Sequence, residues 1–356
     1  MEEEITNLLF TDKGITISPK TINLQLDFYP NQFYMPETQL ISPAQWLLIV
    51  NPNAGIKKGE KEWPKIHKYL QLQGFDFHCV FTAHRDHAIY LAIENIEAGY
   101  RNIAVVGGDG TLNEVMNGIF MQQTISPLDI TLGMIPVGTG NDWCRMFDIP
   151  FDYKKAIDIL KQKHPFIQDV GKISYYAKNN LTIRYFMNVA GMGYDALVAK
   201  KTNMMKERGK GNPLTYLYFV FAGLFQYKFM EGVIEIDDHI LFKGEIFSMN
   251  AGICKFNGGG MKQVPYAIPD DGLFDFTLIK KASKWIVFRY AHRLYNGKLT
   301  EVPIVSATRG KVIRIRSTGK IYLEADGESL GHTPFVYEVL PRSLKVIVNP
   351  NFVNGK

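Results

Sequence analysis

The residues with the clearest chemical potential form one short string that combines three glycines with an aspartate. The string is VGGDGTLNE over residues 106–114, and it follows the apolar, β-branched run Asn102–Val106, which predicts a buried strand. Glycines let a backbone turn tightly and bring its N–H groups close to phosphate oxygens. A helix that begins near Thr111 would direct its positive end towards such an anion. The string therefore predicts a phosphate-binding turn at the carboxyl end of a strand.

The aspartate in this turn adds a further requirement. A carboxylate beside phosphates needs a cation, so Asp109 implies either Mg²⁺ or a substrate hydroxyl at the turn. Thr111 and Glu114 have the spacing of a capping box, which predicts that they fix the start of the helix. The alternative interpretation is a plain turn in which Asp109 only caps the helix.

Two further loops of small polar residues follow predicted strands. NPNAG over residues 51–55 comes after the apolar run WLLIV, and PVGTGND over residues 136–142 comes after Ile130–Ile135. Taken singly, such loops usually indicate only a turn. In a parallel sheet the carboxyl ends of the strands share one edge, so the three loops would line one crevice. Together they suit a nucleoside triphosphate, although the chain has no GxxxxGK[ST] string of a Walker-type loop.

The elements that would position these loops alternate in a regular way. Strands are predicted at residues 46–51, 75–82, 102–106 and 130–135, and helices at residues 60–73, at residues 86–98, from about residue 112 and after the last glycine turn. Four repeats of strand and helix predict an α/β domain over residues 46–165, with a parallel sheet that is covered by helices on both faces.

After Phe166 the pattern changes to strands with few helices between them. Strands are predicted at residues 184–190, 232–236, 245–251, 274–279, 311–317, 320–325 and 346–348, and helices at residues 214–229 and 284–294. This pattern predicts a mostly antiparallel β-sandwich or distorted barrel over residues 166–356, whose last segment could return to the first domain. Residues 1–45 form an N-terminal extension, and the alternation over Ile15–Phe28 predicts strands added to the second domain.

Composition narrows the class of protein. Among 356 residues, 46% are apolar and 21% are charged, which is ordinary globular usage, and the net charge is +5. This mild positive charge suits nucleotide phosphates or acidic lipids and is too weak to indicate a nucleic acid partner. Three widely spaced cysteines exclude a disulfide framework or a zinc site and favour a reducing compartment. With an acidic start and no membrane-spanning run, we expect a cytoplasmic protein that could contact the inner face of a membrane.

The three loops as a set resemble the catalytic domain of the diacylglycerol kinase family, which includes bacterial lipid kinases and sphingosine kinases. GGDGTLNE and GTGND match two strings of that family, whereas NAD kinases and phosphofructokinases share only the GGDG turn. Downstream, NVAGMGYD at 188–195, GGGM at 258–261, DDGL at 270–273 and DGE at 326–328 match in order and spacing. The resemblance covers residues 46–348 and implies a first domain like that of NAD kinases and phosphofructokinases.

The resemblance also implies an ATP- and Mg²⁺-dependent lipid kinase with a specific set of site residues. Glu328, assisted by Asp326, would be the general base, and Asp109 and Asp142 would organise the magnesium nucleotide. Asp271 would bind a second, structural Mg²⁺ together with main-chain carbonyls near Ile268 and Leu273. The residues expected to line the ATP site are Asn51, Pro52, Asn53, Ala54, Gly55, Thr82, Gly108, Asp109, Gly110, Thr111, Leu112, Asn113, Glu114, Thr139, Asn141 and Asp142.

Several alternatives stay open from the sequence. The acceptor could be diacylglycerol, a sphingoid base or another hydroxylated lipid. A kinase for a soluble substrate such as NAD is disfavoured because the chain lacks a PTGSTAY-like string. A non-catalytic regulator that binds a nucleotide or a lipid is disfavoured because all the acidic residues of the family's motifs are present. The DGE and DDG strings, without the resemblance, would indicate only turns. The aromatic run over residues 214–221 could pack inside the protein or line a channel for a lipid tail.

Basic residues also gather in three stretches, which could be solvated faces or surfaces for anionic lipid head groups. The residues are Lys200, Lys201, Lys206, Arg208 and Lys210 in the first stretch, Lys280, Lys281, Lys284, Arg289 and Arg293 in the second, and Arg314 and Arg316, which alternate on a predicted strand, in the third.

Overall fold

The first half of the chain alternates strands and helices, as predicted. The computed structural model describes residue 42 and residues 44–207, 223–224 and 227–353. The elements of this half are β1 (Trp46–Val50), α1 (Ala54–Leu72), β2 (Phe77–Phe81), α2 (His87–Ala98), β3 (Asn102–Gly107), α3 (Asp109–Met121), β4 (Thr131–Pro136), α4 (Asp142–Met146) and α5 (Tyr153–Gln162).

The strands of this half form a parallel sheet in the order β2, β1, β3, β4. Leu48 of β1 lies opposite Cys79 on one side and Ala104 on the other. All five residues of β1 are buried. This uninterrupted burial explains the continuous apolar run in the sequence, because a parallel strand is usually covered on both faces.

Helices cover both faces of the parallel sheet. Trp46 and Leu48 belong to an apolar cluster with Ile66 of α1 and Leu160 of α5. The intervening Leu47 is also fully buried and points to the other face, since side chains alternate along a strand. On that face α2 contacts β1 and packs against α3.

The second half is built mainly of strands. Its elements are β5 (Pro165–Ala177), β6 (Asn180–Phe186), β7 (Val189–Gly193), α6 (Tyr194–Glu207), β8 (Met230–Ile236), β9 (His239–Gly252), β10 (Phe256–Asn257), β11 (Met261–Lys262), β12 (Phe274–Lys280), α7 (Lys284–Tyr290), α8 (Arg293–Asn296), β13 (Val305–Gly310), β14 (Val312–Ser317), β15 (Tyr322–Ala325) and β16 (Glu328–Ile347).

Nearly all pairing in this half is antiparallel. β13, β12, β9, β7, β15 and β16 are neighbours in that order, while β14 and β5 pair with β16, and β8 joins β14 to β9. The predicted fold class, a parallel α/β part followed by a mostly antiparallel β-rich part, is therefore confirmed.

The long strand β16 joins the parallel and the antiparallel parts of one sheet. Lys345 and Val346 near its end pair in parallel with Thr131 and Leu132 of β4. The sequence predicted a strand here only over residues 346–348, because register shifts interrupt the alternation along β16. The same register shifts explain why the partner strand β5 was not predicted from the sequence. Since one sheet runs through both halves, we retain the domain boundary near residue 165 as a proposal.

Some predictions fall outside the described residues. They are the strands expected over Ile15–Phe28 and the aromatic run Leu214–Phe221 with most of its predicted helix. Within the described ranges, no helix combines the length and the apolar character needed to cross a bilayer.

Candidate active site

The three glycine-rich loops meet at the carboxyl edge of the parallel sheet. Asn51, which follows β1, donates from Nδ2 to Oγ1 of Thr111 in α3 at 2.8 Å. Its Oδ1 accepts a hydrogen bond from the N–H of Asn53 and so fixes the turn of its own loop. The first and second loops are thereby tied together by a side chain that the sequence analysis assigned to the ATP site.

Close backbone contacts require glycine where the third loop meets the other two. A Cβ at Gly55, whose φ is +61°, would lie 2.4 Å from the carbonyl oxygen of Val137. A Cβ at Gly138 would lie 2.6 Å from the Cα of Gly108. Any side chain at these positions would force the loops apart, so the glycines are explained by the packing of the crevice.

Asp109 anchors the third loop from within the second. Its two carboxylate oxygens accept hydrogen bonds from the N–H groups of Asp142 and Trp143, both at 3.1 Å, where α4 begins. Burial, reinforced by the charge of Asp142, raises the pKa of Asp109 to about 7. A bound cation would reverse this penalty, because it favours the ionised carboxylate.

Asp142 connects the nucleotide-side loops to the second half. Its carboxylate accepts hydrogen bonds from the N–H groups of Gly259 at 2.7 Å and Gly260 at 2.6 Å, and it pairs with Arg145 at 3.3 Å. Burial raises the pKa of Asp142, whereas the two N–H donors and Arg145 oppose that rise. The GGG string of the second half is therefore bound directly to the third loop.

The oxygen atoms of this crevice fit a hard cation such as Mg²⁺. Asp109 accepts two N–H bonds and Asp142 accepts three, including the one from Nε of Arg145, and both keep further acceptor capacity, since a carboxylate has about four lone-pair sites. Asn141 is buried, and its Oδ1 has no hydrogen-bond partner within the described part of the chain. Three oxygen donors on two adjoining loops suit the cation of a magnesium nucleotide.

Glu328 reaches the GGDG turn from the second half. A Cβ at Gly110 would lie 3.1 Å from Oε1 of Glu328. The other carboxylate oxygen, Oε2, lies 2.6 Å from Nη2 of Arg85. The Glu328 side chain remains partly exposed. The structure thus brings the predicted general base to the predicted nucleotide turn, although they are more than two hundred residues apart in the chain.

Asp326 has a different environment from Glu328. It is buried, and its carboxylate accepts hydrogen bonds from the N–H groups of Met187, Asn188 and Val189 and from Nδ2 of Asn113. Four donors occupy the carboxylate, so this geometry suits a residue that positions its neighbours. The bond to Asn113 ties the turn before Glu328 to α3 of the first half.

The capping box predicted from Thr111 and Glu114 is wrong. The helix begins at Asp109 after the N-cap residue Gly108, so Thr111 is already its third residue. Thr111 Oγ1 instead accepts from Asn51, and Glu114 Oε2 accepts from the N–H of Ala88 at the start of α2. Glu114 therefore fixes the neighbouring helix.

The remaining residues of the predicted ATP site differ in exposure. Leu112 is buried in the core, so only its backbone could face a ligand. Thr82 is buried and its N–H bonds to the carbonyl of Val50, whereas Thr139 is exposed at the tip of its loop. Pro52 and Ala54 are half-buried.

The predicted second metal site has a basic neighbour. Asp271 accepts from the N–H of Leu273 at 3.1 Å, and its other oxygen pairs with Arg309. Arg309 also pairs with Asp275 at 3.0 Å. The guanidinium neutralises the charge that a cation would neutralise, so these contacts do not fit a metal well. The grouping of Asp271 with Ile268 stays a prediction.

Two arginines of the site were missed in the sequence analysis. Arg85 lies in the loop after β2, and Arg184 in β6 donates to Oδ1 of Asn113 at 3.0 Å and pairs with Asp86. The rule that ligands bind beyond the carboxyl ends of parallel strands applies to the β2 loop as well, and it could have identified Arg85.

Comparison with known proteins is consistent with this geometry. Residues 45–173 match the diacylglycerol kinase catalytic domain, and residues 188–348 match the YegS C-terminal NAD kinase beta sandwich-like domain. A crystal structure of a diacylglycerol kinase from Bacillus anthracis str. Sterne superposes with a TM-score of 0.67 at 25% identity, over 87% of this chain and 99% of that one.

Curated relatives agree over nearly their full length. The chain is 31% identical over 309 residues to a diacylglycerol kinase of Staphylococcus saprophyticus, a match that spans 87% of this chain and 96% of the relative. It is 32% identical over 307 residues to one of Staphylococcus epidermidis, with 86% and 93% covered. The resemblance inferred from the motifs is confirmed, and this chain belongs to the diacylglycerol kinase catalytic domain family.

Proposed function

We propose that this protein transfers the γ-phosphoryl group of ATP, with Mg²⁺, to a hydroxyl of a membrane-derived lipid. The names of its relatives make diacylglycerol the first acceptor to test. The observation that carries the proposal is the position of Glu328 beside Gly110. A carboxylate next to the GGDG turn stands where an acceptor hydroxyl would have to meet the γ-phosphate.

The crevice supplies positioning, which is most of what phosphoryl transfer requires. The backbone N–H groups of the GGDG turn and the first turn of α3 offer donors and a positive helix end to phosphate oxygens. Mg²⁺, when bound with the nucleotide, would neutralise phosphate charge, and Asp109, Asn141 and Asp142 are the residues that would hold it. The tied loops hold these groups in place before substrate arrives.

Glu328 is the proposed general base. An alcohol gives up its proton only as the new bond to phosphorus forms, so a carboxylate must be ready to accept it. Oε1 of Glu328 faces Gly110, while Arg85 holds Oε2. Asp326, two residues earlier, fixes the turn through its four hydrogen bonds and so limits where Glu328 can move.

The test is a product assay with purified protein, labelled ATP and Mg²⁺. Diacylglycerol, a sphingoid base and a monoacylglycerol are offered in detergent micelles, NAD is offered in solution, and products are identified by mass spectrometry. Glu328→Gln is compared with Glu338→Gln, which removes a carboxylate of β16 that pairs with Lys172 of β5. A phosphorylated lipid from wild type and Glu338→Gln, but not from Glu328→Gln, supports the proposal.

Two other results would replace the proposal. Phosphorylation of NAD alone would indicate a kinase for a soluble substrate. ATP binding, measured by calorimetry, without turnover of any acceptor would indicate a regulator without catalysis.

A further inference from the structure

The helix pair α7 and α8 presents large apolar side chains to solvent. Trp285 is 80% exposed, and Phe288 and Tyr295 are each 57% exposed. No residue of either helix is fully buried. Exposed apolar residues are unremarkable singly, but a contiguous group of large ones usually marks a binding surface.

Most of the exposed residues of α7 share one side of the helix. In α7 and the residues after it, positions 285, 288, 289 and 292 are exposed and follow the spacing of a single helical face, and Ile286, which is 36% exposed, lies beside that face. Val287 points the other way and packs against the apolar cluster of Tyr194, Val198 and Phe247. The helix is therefore anchored to the β-rich half by its inner side, and its aromatic side is left outward.

The same segment is strongly basic. Residues 280–298 include no Asp or Glu, and their six basic residues are Lys280, Lys281, Lys284, Arg289, Arg293 and Lys298. Lys281 pairs with Glu245 and Arg293 with Glu301, both acids outside the segment. Aromatic side chains together with Lys and Arg are typical of helices that lie in a membrane interface.

The helix pair is linked to the active site. Gly297, directly after α8, lies against Lys262, because a Cβ there would be 3.3 Å from Cδ of that lysine. Lys262 belongs to β11, and the hairpin of β10 and β11 includes the Gly259 and Gly260 that bind Asp142. A surface that met a bilayer at α7 and α8 would thus be only a few contacts from the nucleotide loops.

We propose that the outward face of α7 and α8, with Trp285 and Phe288 at its centre, docks this protein on a bilayer that includes anionic lipids. The inference rests on the proposed function, because a lipid acceptor lies in a membrane. A second copy of the chain fits this face less well, since a two-fold interface would place the basic stretch opposite itself. Acidic head groups complement the charge, and Trp and Tyr favour the interfacial depth.

The test measures vesicle binding of the full-length protein without ATP. Wild type is floated with vesicles of phosphatidylcholine alone and with about a third of phosphatidylglycerol, an amount that makes the surface strongly anionic. We expect binding only to the anionic vesicles, and a loss of about tenfold or more in Trp285→Ser/Phe288→Ser, because each residue would withdraw a large apolar area from water. Leu72→Ser, which alters a 72% exposed residue of α1, is the matched control and should bind as wild type does.

Fluorescence places the contact on the helix. Trp46 and Trp143 are buried, and Trp63 is half-buried, so Trp285 is the most exposed of the four tryptophans. Anionic vesicles should shift the emission of wild type to shorter wavelength and leave Trp285→Phe unshifted. A shift that persists in Trp285→Phe would place the contact elsewhere and overturn the inference.

Kinase activity in detergent micelles separates this inference from the proposed function. If the double variant phosphorylates micellar lipid as wild type does but fails to float with vesicles, the docking surface is supported. If wild type floats and the double variant does not, yet neither phosphorylates any lipid, the docking surface stands and the proposed function fails. Equal flotation of wild type and double variant, or a double variant that changes only from dimer to monomer, would overturn the docking surface.

Discussion

The guanidinium of Arg85 and the carboxylate of Glu328 form an ion pair, with Nη2 and Oε2 2.6 Å apart. Arg85 lies in the loop after β2, and Glu328 is the first residue of β16. The pair therefore connects the edge of the parallel sheet where we propose that the nucleotide binds to the strand that carries the proposed base. About half of the Arg85 side chain is exposed, so the pair contributes less than about 1 kcal/mol to the free energy of unfolding. The pair matters because it holds the carboxylate of Glu328 beside Gly110 of the GGDG turn.

Arg85→Ala should lower kcat for lipid phosphorylation by about threefold to tenfold and change the unfolding free energy by less than about 1 kcal/mol. Without its partner, Glu328 would spend less time at the GGDG turn. Arg85→Lys should recover part of the loss, because an ammonium keeps the charge but not the planar fork. The measurements are steady-state kinetics and urea unfolding. An increase in kcat would contradict the prediction, since it would mean that the ion pair restrains the base in an unproductive position.

Gly110→Ala should reduce kcat while leaving the fold intact. The new Cβ would be 3.1 Å from Oε1 of Glu328, so the carboxylate would have to retreat by a few tenths of an ångström. Gly110 lies in the first turn of α3, where alanine favours the helix by up to about 1 kcal/mol over glycine. We expect a kcat loss of about tenfold and an unchanged or higher melting temperature. A variant with full activity would show that Glu328 does not need its present position.

Asp326→Ala and Glu328→Gln should separate stability from catalysis. Loss of the Asp326 carboxylate leaves three backbone N–H groups without their acceptor in a buried region, while Nδ2 of Asn113 keeps its bond to the carbonyl of Tyr185, and we expect about 3–5 kcal/mol of destabilisation. Glu328 is partly exposed, so Glu328→Gln should unfold like wild type yet lose a factor of about a hundred or more in kcat. Urea unfolding and the lipid kinase assay provide the comparison. Equal unfolding curves for Asp326→Ala and wild type would argue against the positioning role of Asp326.

The sequence predicts those parts of the fold whose signal is local. Three of the four strands of the parallel sheet, β1, β3 and β4, are apolar runs followed by loops that include glycine, so both the sheet and the GGDG turn can be found without a structure. β5 and β16 escape prediction because their alternation is broken by register shifts near His332 and Leu340. The failed capping box has a similar cause, since the helix starts two residues before Thr111 and the spacing alone cannot show it.

Apart from the GGDG turn, the residues of the site can be predicted only through the family resemblance. From its residues alone, DGE at 326–328 indicates a turn. The contact between Asn113 and Asp326 joins residues 213 positions apart, and no local pattern reports such a pair. Arg85 gives no motif at all, and only the rule about strand ends points to its loop. The contacts between residues far apart in the chain, which form the site, cannot be predicted from local sequence patterns.

The stability of the protein without ligand should fall as pH rises, and Asp109 should be one cause. The pKa of Asp109 is raised to about 7, mainly by burial, from about 4 in the unfolded chain. The folded protein therefore binds the proton more tightly, so the stabilisation is complete below about pH 4 and is lost as pH rises through about 7. Since Asp109 is partly exposed, we expect about 2 kcal/mol across this range.

Asp109→Asn isolates this contribution. Glu324, whose burial raises its pKa to about 8, adds a slope of the same sign, but it does so equally in wild type and variant. From pH 5 to pH 8 wild type should therefore lose unfolding free energy relative to Asp109→Asn. The asparagine amide also changes the hydrogen bonds from the N–H groups of Asp142 and Trp143, but that effect does not depend on pH. Magnesium ATP at pH 8 should raise the melting temperature of wild type more than that of the variant, because a cation stabilises the ionised carboxylate. Parallel pH curves for the two proteins would mean that Asp109 does not carry the proton.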